Sequence, residues 1–428
     1  MHGEDAWLGL DVGTTSSKAV VYTRDGTPVG AGRAVTNWHH GPLGTEIAPF
    51  ALLDQARSAL SQAADTTPDS VRIRAVGVTS MGETGVLVDA RGQAVAPAIA
   101  WHDTRDFVEV EELAETIGEA RFGARTGKPL RGQFSITKHR WLTRHLPSAR
   151  AAARRYNIAE WIVRGLGAGE VCDRVLACRT GWFDLGSQAW WDEALDWSGT
   201  RVAIMPELVD SGTPVGRVRE GHPRLIGAIA TTAGHDHQAA ALGVGATRLG
   251  DELDSSGTAE ALVRTVPEGL EPTQLLQLAR FGVTTDVSIQ RGRWSLLAGT
   301  QGGLAMRQTL DKWRIEPDGL PELDARALSL NDLQPADDPA ATEWRATVES
   351  ATTQALQLHR AMTDVVGPHN RLIATGGWCN SAMVMDAKHR AFAALSVAAV
   401  LEAGTFGAAT LAARAAGDID QESALGAQ

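Results

Sequence analysis

The sequence AWLGLDVGTTSSKAVVY, residues 6–22, consists of a strand pattern, a short polar turn and a second strand pattern. Strand-forming residues lead into Asp11, and the turn that follows carries Thr14 and Thr15. Such a turn can present backbone N–H groups and two hydroxyls to phosphate. Asp11 fits this interpretation, because nucleotide-bound Mg²⁺ needs a nearby carboxylate, often through water. Many β-hairpins carry Asp, Gly and Thr in their turns, so an ordinary hairpin is the alternative at this point.

The composition is that of a globular chain with an excess of acidic residues. The 428 residues predict two or more domains, and 43% hydrophobic content is enough to bury a sizeable core. The net charge of −11 argues against a nucleic-acid partner or an acidic membrane surface. It does not exclude a phosphorylated ligand, which would bind in a local pocket.

The sequence shows no pattern typical of a targeting segment, a membrane span or a cysteine-based metal site. The first residues, MHGEDAW, show no basic segment followed by an apolar one, and no run of about 18 uncharged apolar residues occurs. The three cysteines form no close metal-binding pair. We therefore expect a cytoplasmic enzyme with no membrane partner, and the sequence leaves a homodimer open.

A second unit of the same design begins at Ile226. An apolar strand pattern there leads into Gly-His-Asp-His, and a further strand, Ser-Ser-Gly-Thr turn and strand follow from Leu253. The turn type of residues 11–15 thus recurs near residues 254–258. We predict an α/β chain of two lobes, residues 1–225 and 226–428, with one phosphate loop in each.

Three other segments carry expectations about local structure. Ser148–Trp161 has the apolar spacing of a helix, whereas Pro317–Pro339 is poorly periodic and predicts an irregular surface segment. Ala403–Ala416 is rich in Gly and Ala, which predicts a helix that packs closely on another element.

Asp236 is the candidate catalytic residue. It follows an apolar strand and precedes an Ala-rich helix, where a partly buried carboxylate could take a proton from a hydroxyl. The alternative is a helix N-cap, a common role for Asp at such a position. Glu83, after another buried strand, could accept a hydrogen bond from a substrate hydroxyl. Trp101 and Asp103 combine an apolar face with a polar group, as sugar binding requires; a capped helix start is the alternative.

The candidate nucleotide residues lie in both halves of the chain. Gly257 and Thr258 would add N–H and hydroxyl donors from the second lobe, and Lys18 could face the phosphates or be solvated. Gly376 and Gly377 follow a strand and would allow a flat ligand such as adenine to approach the backbone. A purely structural turn is the alternative for these two glycines.

Taken in order, the segments resemble the FGGY carbohydrate kinase family, and the resemblance covers most of the chain. The segments that carry it are LGLDVGTTSSKAVVY, GVTSMGETGVLVD, PAIAWHDTR, TGKPLRGQFSITKHRWL, CRTGWFDLGSQAWWDEAL, AGHDHQAAALGVGA, SSGTAEAL, ATGGWCNS and EAGTFGAATLAARAAG. Each is modest alone, and their order and spacing together are specific.

The resemblance implies two actin-like, RNase H-like lobes around a central cleft where ATP, Mg²⁺ and a sugar or polyol meet. It makes Asp236 the base that deprotonates the attacking hydroxyl. It also places both Asp11 and Asp236 near the metal. The residues that it places on the substrate side are Met81, Glu83, Trp101, Asp103, Gln133 and Asp236. Those that it places near the nucleotide are Thr14, Thr15, Lys18, Gly257, Thr258, Gly303, Gly376, Gly377 and Asn380.

Departures from the family pattern bear on the substrate. Gly82-Glu83 stands where glycerol kinases carry Arg-Glu and xylulokinases Met-His, and Gln133 replaces a substrate-contacting Tyr. These changes argue against glycerol and predict room for a larger substrate. The GGWCN turn is one residue shorter than is usual in the family. That shortening motivates the alternative of a non-catalytic sugar or nucleotide sensor on the same fold. An actin-like or chaperone-like ATPase is a further alternative.

Overall fold

In the computed structural model of the protein, residues 3–257, 259–330, 338–400 and 402–426 are described. Helices and strands are interspersed along the chain, as expected for an α/β protein. The strands are β1 (Glu4–Val12), β2 (Ser16–Thr23), β3 (Pro28–Val35), β4 (His39–Gly41), β5 (Gly44–Ile47), β6 (Val71–Ser80), β7 (Gly85–Val88), β8 (Ala98–Ile99), β9 (Arg154–Asn157), β10 (Cys172–Asp173), β11 (Phe183–Asp184), β12 (Ala189–Trp190), β13 (Leu208–Val209), β14 (Ile229–His235), β15 (Asp251–Ser256), β16 (Glu260–Pro267), β17 (Thr284–Val287), β18 (Arg293–Thr300), β19 (Arg371–Thr375) and β20 (Leu395–Val397).

The α-helices are α1 (Pro49–Thr66), α2 (Phe107–Thr116), α3 (Glu119–Thr126), α4 (Ser135–His145), α5 (Ile158–Gly165), α6 (Arg174–Cys178), α7 (Asp192–Ser198), α8 (Asp236–Gly243), α9 (Pro272–Arg280), α10 (Gly302–Trp313), α11 (Leu320–Ser329), α12 (Pro339–Val366), α13 (Ala382–Ala391) and α14 (Ala403–Ala415). Short 3₁₀ turns occur at Pro147–Ala151, Val202–Ile204, Pro223–Leu225, Pro317–Gly319 and Gly377–Asn380.

Two large sheets share one strand order. The first runs β14-β6-β1-β2-β3, with β1, β2 and β3 antiparallel and β6 and β14 parallel to β1. The second runs β17-β18-β16-β15-β19-β20, with β15, β16 and β18 antiparallel and β19 and β20 parallel to β15. The β1–β2 and β15–β16 turns therefore occupy equivalent places, which agrees with the predicted recurrence of the Gly-Thr turn.

The division of the chain at 225/226 stays a prediction, and one strand pairing bears on it. Ile229–His235 pairs in parallel with Val71–Ser80 and so belongs to the first sheet, although it follows residue 225. Pairing between strands so distant in sequence is decided by tertiary contacts, which a local pattern does not reveal. We propose that the first lobe extends through this strand.

The Gly/Ala-rich helix α14 packs closely against the first sheet and α8, as its composition predicts. A Cβ built at Gly9 of β1 would lie 1.8 Å from the Thr405 carbonyl oxygen, and one at Gly77 of β6 would lie 2.1 Å from that of Ala408. At Gly407, within α14, a Cβ would lie 1.9 Å from the Ala239 carbonyl oxygen. These backbones approach at distances that only glycine allows.

Replacing Gly9 by Ala should therefore destabilise the protein. The new methyl group would force α14 away from β1, at an expected cost of about 3 kcal/mol in the free energy of unfolding. The measurement is the urea midpoint of unfolding. Gly299→Ala, in a strand of the second sheet where the nearest atom is 3.5 Å from the new Cβ, is the matched control and should shift the midpoint much less. Equal shifts would contradict the packing argument.

Two local predictions are wrong. Ser148–Trp161 is not one helix but a 3₁₀ turn, strand β9 and the start of α5. Within Pro317–Pro339, Leu320–Ser329 forms helix α11, whose Leu323 and Ala327 are buried against other helices. Residues 331–337 of that segment lie outside the described residues.

Candidate functional site

Three carboxylates gather at one edge of the first sheet. The parallel strands β1, β6 and β14 end side by side, with Val12 paired to Ser80 and Ser80 paired to His235. Asp11 lies one residue before the end of β1, Glu83 follows β6, and Asp236 follows β14. The carboxyl edge of parallel strands is where open α/β sheets bind ligands.

The β1–β2 turn joins the predicted phosphate residues to the predicted substrate wall. The indole nitrogen of Trp101 donates to Thr14 Oγ1 at 2.9 Å, and that of Trp38 donates to the Thr14 carbonyl at 2.7 Å. Thr14 Oγ1 also lies 3.9 Å from Met81 Sδ. Thr15 is exposed at the turn. The structure therefore brings Thr14, Met81 and Trp101 together.

Asp11 has a carboxylate oxygen available for a cation. Its Oδ1 is buried and has no hydrogen-bond partner among the described residues. Burial, and secondarily the nearby Asp236 carboxylate, raise the pKa of Asp11 to about 8. Lys18, paired across the hairpin from Asp11, forms an ion pair of 2.8 Å with Glu402. Because Lys18 is paired with Glu402, its contact with phosphate stays a prediction.

Asp236 is the first residue of α8, and the N-cap position belongs to His235. Its Oδ1 accepts the backbone N–H of His237 at 2.7 Å. Burial raises the pKa of Asp236 to about 7. Burial also lowers the pKa of His235 far below its ordinary value, so this neighbour is neutral. The N-cap alternative is therefore wrong for Asp236, whereas its proton-transfer role stays a prediction.

Glu83 is held in an unusual backbone conformation. It has a φ of +63°, in the left-handed region that non-glycine residues rarely adopt, and its side chain is buried. Gln133 Nε2 donates to Glu83 Oε1 at 2.9 Å, and Arg179 Nε donates to the same oxygen at 2.9 Å. Ser135 Oγ donates to the Glu83 carbonyl at 2.5 Å. Glu83 and Gln133 are thus brought together as predicted, whereas sequence reasoning missed Arg179.

Asp103 is engaged in a separate ion pair. Arg105 Nε and its backbone N–H both donate to Asp103 Oδ1 at 2.9 Å, and the Thr45 N–H donates to Oδ2. Burial raises the pKa of Asp103, but these hydrogen bonds outweigh it and the net shift is downward. Both oxygens already have partners, so a substrate role for Asp103 stays a prediction.

The predicted second phosphate turn contacts the Gly376 segment. A Cβ at Gly376, where φ is +104°, would lie 2.3 Å from the Ser256 carbonyl oxygen. Gly377 begins a 3₁₀ turn that ends at the exposed Asn380, and a Cβ at Gly377 would meet open space. The structure therefore brings Gly376 and Gly377 beside Ser256-Gly257. The predicted residue Thr258 lies outside the described residues.

A buried lysine underlies this turn, and sequence reasoning missed it. Lys388 Nζ bonds to Ser256 Oγ and Glu260 Oε1, both at 2.5 Å, and to Asp254 Oδ2. The two carboxylates raise the pKa of Lys388, although burial opposes this. Lys388 lies 128 residues from Glu260, so no local spacing could have revealed the cluster.

The same cluster reaches the predicted residue Gly303. Thr300 Oγ1 donates to Glu260 Oε2 at 3.0 Å and accepts the N–H of Gly302, the first residue of α10. Gly303 is buried next to it in the first turn of that helix. The hydrogen-bond network beneath the second turn thus extends to Gly302, the residue before Gly303.

The donor set fits a magnesium ion carried by a nucleotide. Within the described ranges, no group of three or more His, Cys, Asp or Glu side chains surrounds a common metal position. Mg²⁺ commonly takes only one or two protein carboxylates and completes its shell with phosphate oxygens and water. The unpartnered Asp11 oxygen is suited to such a site.

Comparison with known proteins shows which class of protein has this fold. The N-terminal domain of the FGGY family of carbohydrate kinases matches residues 6–243, more than half of the chain. The structure superposes on a xylulose kinase from Rhodospirillum rubrum with a TM-score of 0.86, at 24% identity over 97% of this chain and 90% of that one. For Plasmodium falciparum glycerol kinase with ADP the TM-score is 0.87, at 19% identity over 98% and 91%. These likenesses confirm the predicted two-lobed α/β fold.

The chain belongs to the FGGY family of carbohydrate kinases. It is 33% identical to the xylulose kinase of Streptomyces coelicolor over 72% of its own length and 64% of that relative. It is 30% identical to the glycerol kinase of Paenarthrobacter aurescens over 76% of its length and 66% of the relative. The chain thus spans slightly less than two thirds of these relatives. In the part of the chain that the structure describes, every helix is too short or too polar to span a lipid bilayer.

Proposed function

We propose that this protein transfers the γ-phosphoryl group of ATP to a hydroxyl of a small sugar or polyol, with Asp236 as the general base. The observation that carries the proposal is the convergence of Asp11, Glu83 and Asp236 at one sheet edge. Their surroundings differ: Asp11 has an unpartnered oxygen, Glu83 is held by two side chains, and Asp236 is poised near neutral pKa. Family membership supports the same activity.

Asp236 would accept the proton of the attacking hydroxyl. A pKa near 7 lets a carboxylate be ionised at neutral pH while remaining basic enough to take a proton in the transition state. Neutral His235 lies beside it, with Nδ1 3.4 Å from Asp236 Oδ1, and adds no positive charge that would weaken the base.

Glu83 would orient the substrate. Its Oε1 accepts from Gln133 and Arg179, whereas no described residue donates to Oε2. A substrate hydroxyl could therefore donate to Oε2. Trp101, fixed through its indole nitrogen to Thr14, would offer an apolar face to the sugar carbons close to the first phosphate turn.

The two Gly-Thr turns would hold the phosphates. Thr14 and Thr15 from the first lobe, and Gly257 and Thr258 from the second, would supply N–H and hydroxyl donors, while Gly303, Gly376, Gly377 and Asn380 would border the rest of the nucleotide. When bound, Mg²⁺ would neutralise phosphate charge, with Asp11 as the carboxylate that holds it and Asp236 nearby. Positioning the hydroxyl in line with the γ-phosphate supplies much of the catalysis in such reactions.

An ADP-release assay with glycerol, D-xylulose, D-gluconate and other sugars, polyols and sugar acids tests this proposal. We expect at least one compound to raise ADP formation well above that of the Asp236→Asn variant. Sugar binding by calorimetry without turnover of any compound would instead support the non-catalytic sensor. Sugar-independent ATP hydrolysis stimulated by a protein would support an actin-like ATPase. A cytoplasmic location and a homodimer remain predictions.

A further inference from the structure

We propose that Arg179 is a positioning residue for substrate binding, which fixes the Glu83 carboxylate so that Oε2 faces the substrate. This inference rests on the proposed function of Glu83 as a substrate ligand. It concerns a residue from α6 and its C-terminal turn, a segment with no local sequence relation to Glu83.

The contact between Arg179 and Glu83 is directional. Arg179 Nε donates to Glu83 Oε1 at 2.9 Å, and Nη2 donates to the same oxygen. Gln133 Nε2 adds a third donor to Oε1 at 2.9 Å. Because all three donors converge on one oxygen, the carboxylate cannot rotate without losing charge-assisted hydrogen bonds. Its other oxygen is left as the acceptor for a ligand.

Gly82 provides the space through which Arg179 reaches Glu83. A Cβ at Gly82 would lie 3.1 Å from Arg179 Cγ and 2.9 Å from His235 Cδ2. The absent side chain at position 82 was predicted to leave room for a larger substrate. Arg179 and His235 border the position that a Cβ at residue 82 would take, and the larger substrate stays a prediction.

The other end of Arg179 is anchored in the second sheet. Nη1 donates to Thr284 Oγ1 at 2.8 Å and to Asp286 Oδ2 at 3.0 Å, both on β17. Lys128 Nζ lies 2.8 Å from Asp286 Oδ1, so two basic and two acidic groups alternate along a buried chain. A guanidinium held at both ends has little freedom, which makes Arg179 a rigid support for the left-handed Glu83.

Lysine cannot replace this arrangement, because one ammonium group cannot donate from three fixed nitrogens to Glu83, Thr284 and Asp286. Arg179→Lys should therefore keep the charge and lose the orientation. Gly82→Ala approaches the same contact from the other side, since the added methyl group would displace Arg179. Arg179→Lys should weaken sugar binding while Asp236 and the nucleotide loops stay in place. Gly82→Ala should also weaken sugar binding, but its methyl group would press on His235, the neighbour of Asp236, as well as on Arg179.

The test compares each variant with the wild type for D-xylulose, glycerol and D-gluconate, using KM, kcat and calorimetric binding. We expect Arg179→Lys to raise KM and the sugar Kd by about tenfold, with kcat changed by less than about threefold. Gly82→Ala should raise the sugar Kd to a similar extent, and only its Kd is compared, because its methyl group also contacts His235 beside Asp236. Arg264→Lys is the matched control: Arg264 is also 1% exposed and is paired with a glutamate, Glu252, on the second sheet. It should leave sugar affinity unchanged.

Two results would overturn the inference. One is wild-type sugar affinity in Arg179→Lys, and the other is a parallel loss of kcat and affinity that Arg264→Lys shares. Failure of the proposed function looks different, because then the wild type itself turns over no sugar. If the protein binds sugar without turnover, positioning by Arg179 can still be measured. The measure is then the sugar Kd of the variant divided by that of the wild type, both from calorimetry. If Arg179→Lys fails to fold, Gly82→Ala carries the comparison.

Discussion

Asp236→Asn should reduce kcat by about 10²–10⁴-fold, the range typical for loss of a general base. The amide keeps the size of the side chain but cannot accept the hydroxyl proton. Because Asp236 contacts its neighbours mainly through the His237 N–H, which an amide oxygen can also accept, the start of α8 should be preserved. Calorimetry should show nucleotide and sugar affinities within a few-fold of the wild type, and a residual kcat within tenfold would exclude Asp236 as the base.

The pH dependence of kcat gives a second readout of the same residue. A carboxyl whose pKa is raised to about 7 is protonated, and therefore inactive as a base, below that pH. We expect kcat to rise with pH through about 7 and then level off. Glu83→Gln is the control: it should raise the sugar KM and keep a limb of this shape, moved towards lower pH because the Glu83 charge contributes to the raised pKa of Asp236. A flat wild-type profile between pH 6 and 8 would contradict the assignment.

Features that depend on neighbouring residues could be predicted from the sequence. The first turn follows from an apolar strand, a Gly-Thr turn and a second strand within residues 6–22, and the second turn follows from the same logic. The packing of α14 follows from its small residues, which allow backbones to touch at Gly9 and Gly407. In each case the signal in the sequence lies within one short segment, although the surfaces that α14 packs against lie elsewhere in the chain.

The partners of the buried charges could not be predicted in this way. Arg179 lies 96 residues from Glu83 and 107 from Asp286, and Lys388 lies 134 from Asp254. A lone Arg or Lys in a sequence is usually solvated, and only the tertiary fold decides which carboxylate it meets. The parallel pairing of β14 with β6 is non-local for the same reason, so the local pattern near residue 225 could not reveal it.

Asp11→Asn should abolish the pH dependence of the Mg²⁺ concentration that gives half-maximal activity. In the proposed metal role, Asp11 of the wild type would have to lose its proton to hold Mg²⁺. Because the pKa of Asp11 is raised to about 8, the Mg²⁺ concentration at half-maximal activity should rise as pH falls from 8.5 to 6.5. In the variant that concentration should be higher at every pH and nearly independent of it. Sugar affinity measured by calorimetry should stay unchanged; loss of sugar binding alone would contradict a metal role for Asp11.

The stability of the ligand-free protein tests Asp11 independently of activity. A carboxyl with a raised pKa binds more protons in the folded state than in the unfolded state between about pH 4 and 8, so its contribution to the free energy of unfolding falls as pH rises. Asp11→Asn removes this dependence and should stabilise the protein by about 1–3 kcal/mol at pH 8.5 and by little at pH 4. Asp5→Asn, on the same strand but paired with Arg72 near the surface, should show no such gain. Equal stability of wild type and Asp11→Asn at pH 8.5 would mean that Asp11 is not the strained carboxylate on which the metal site depends.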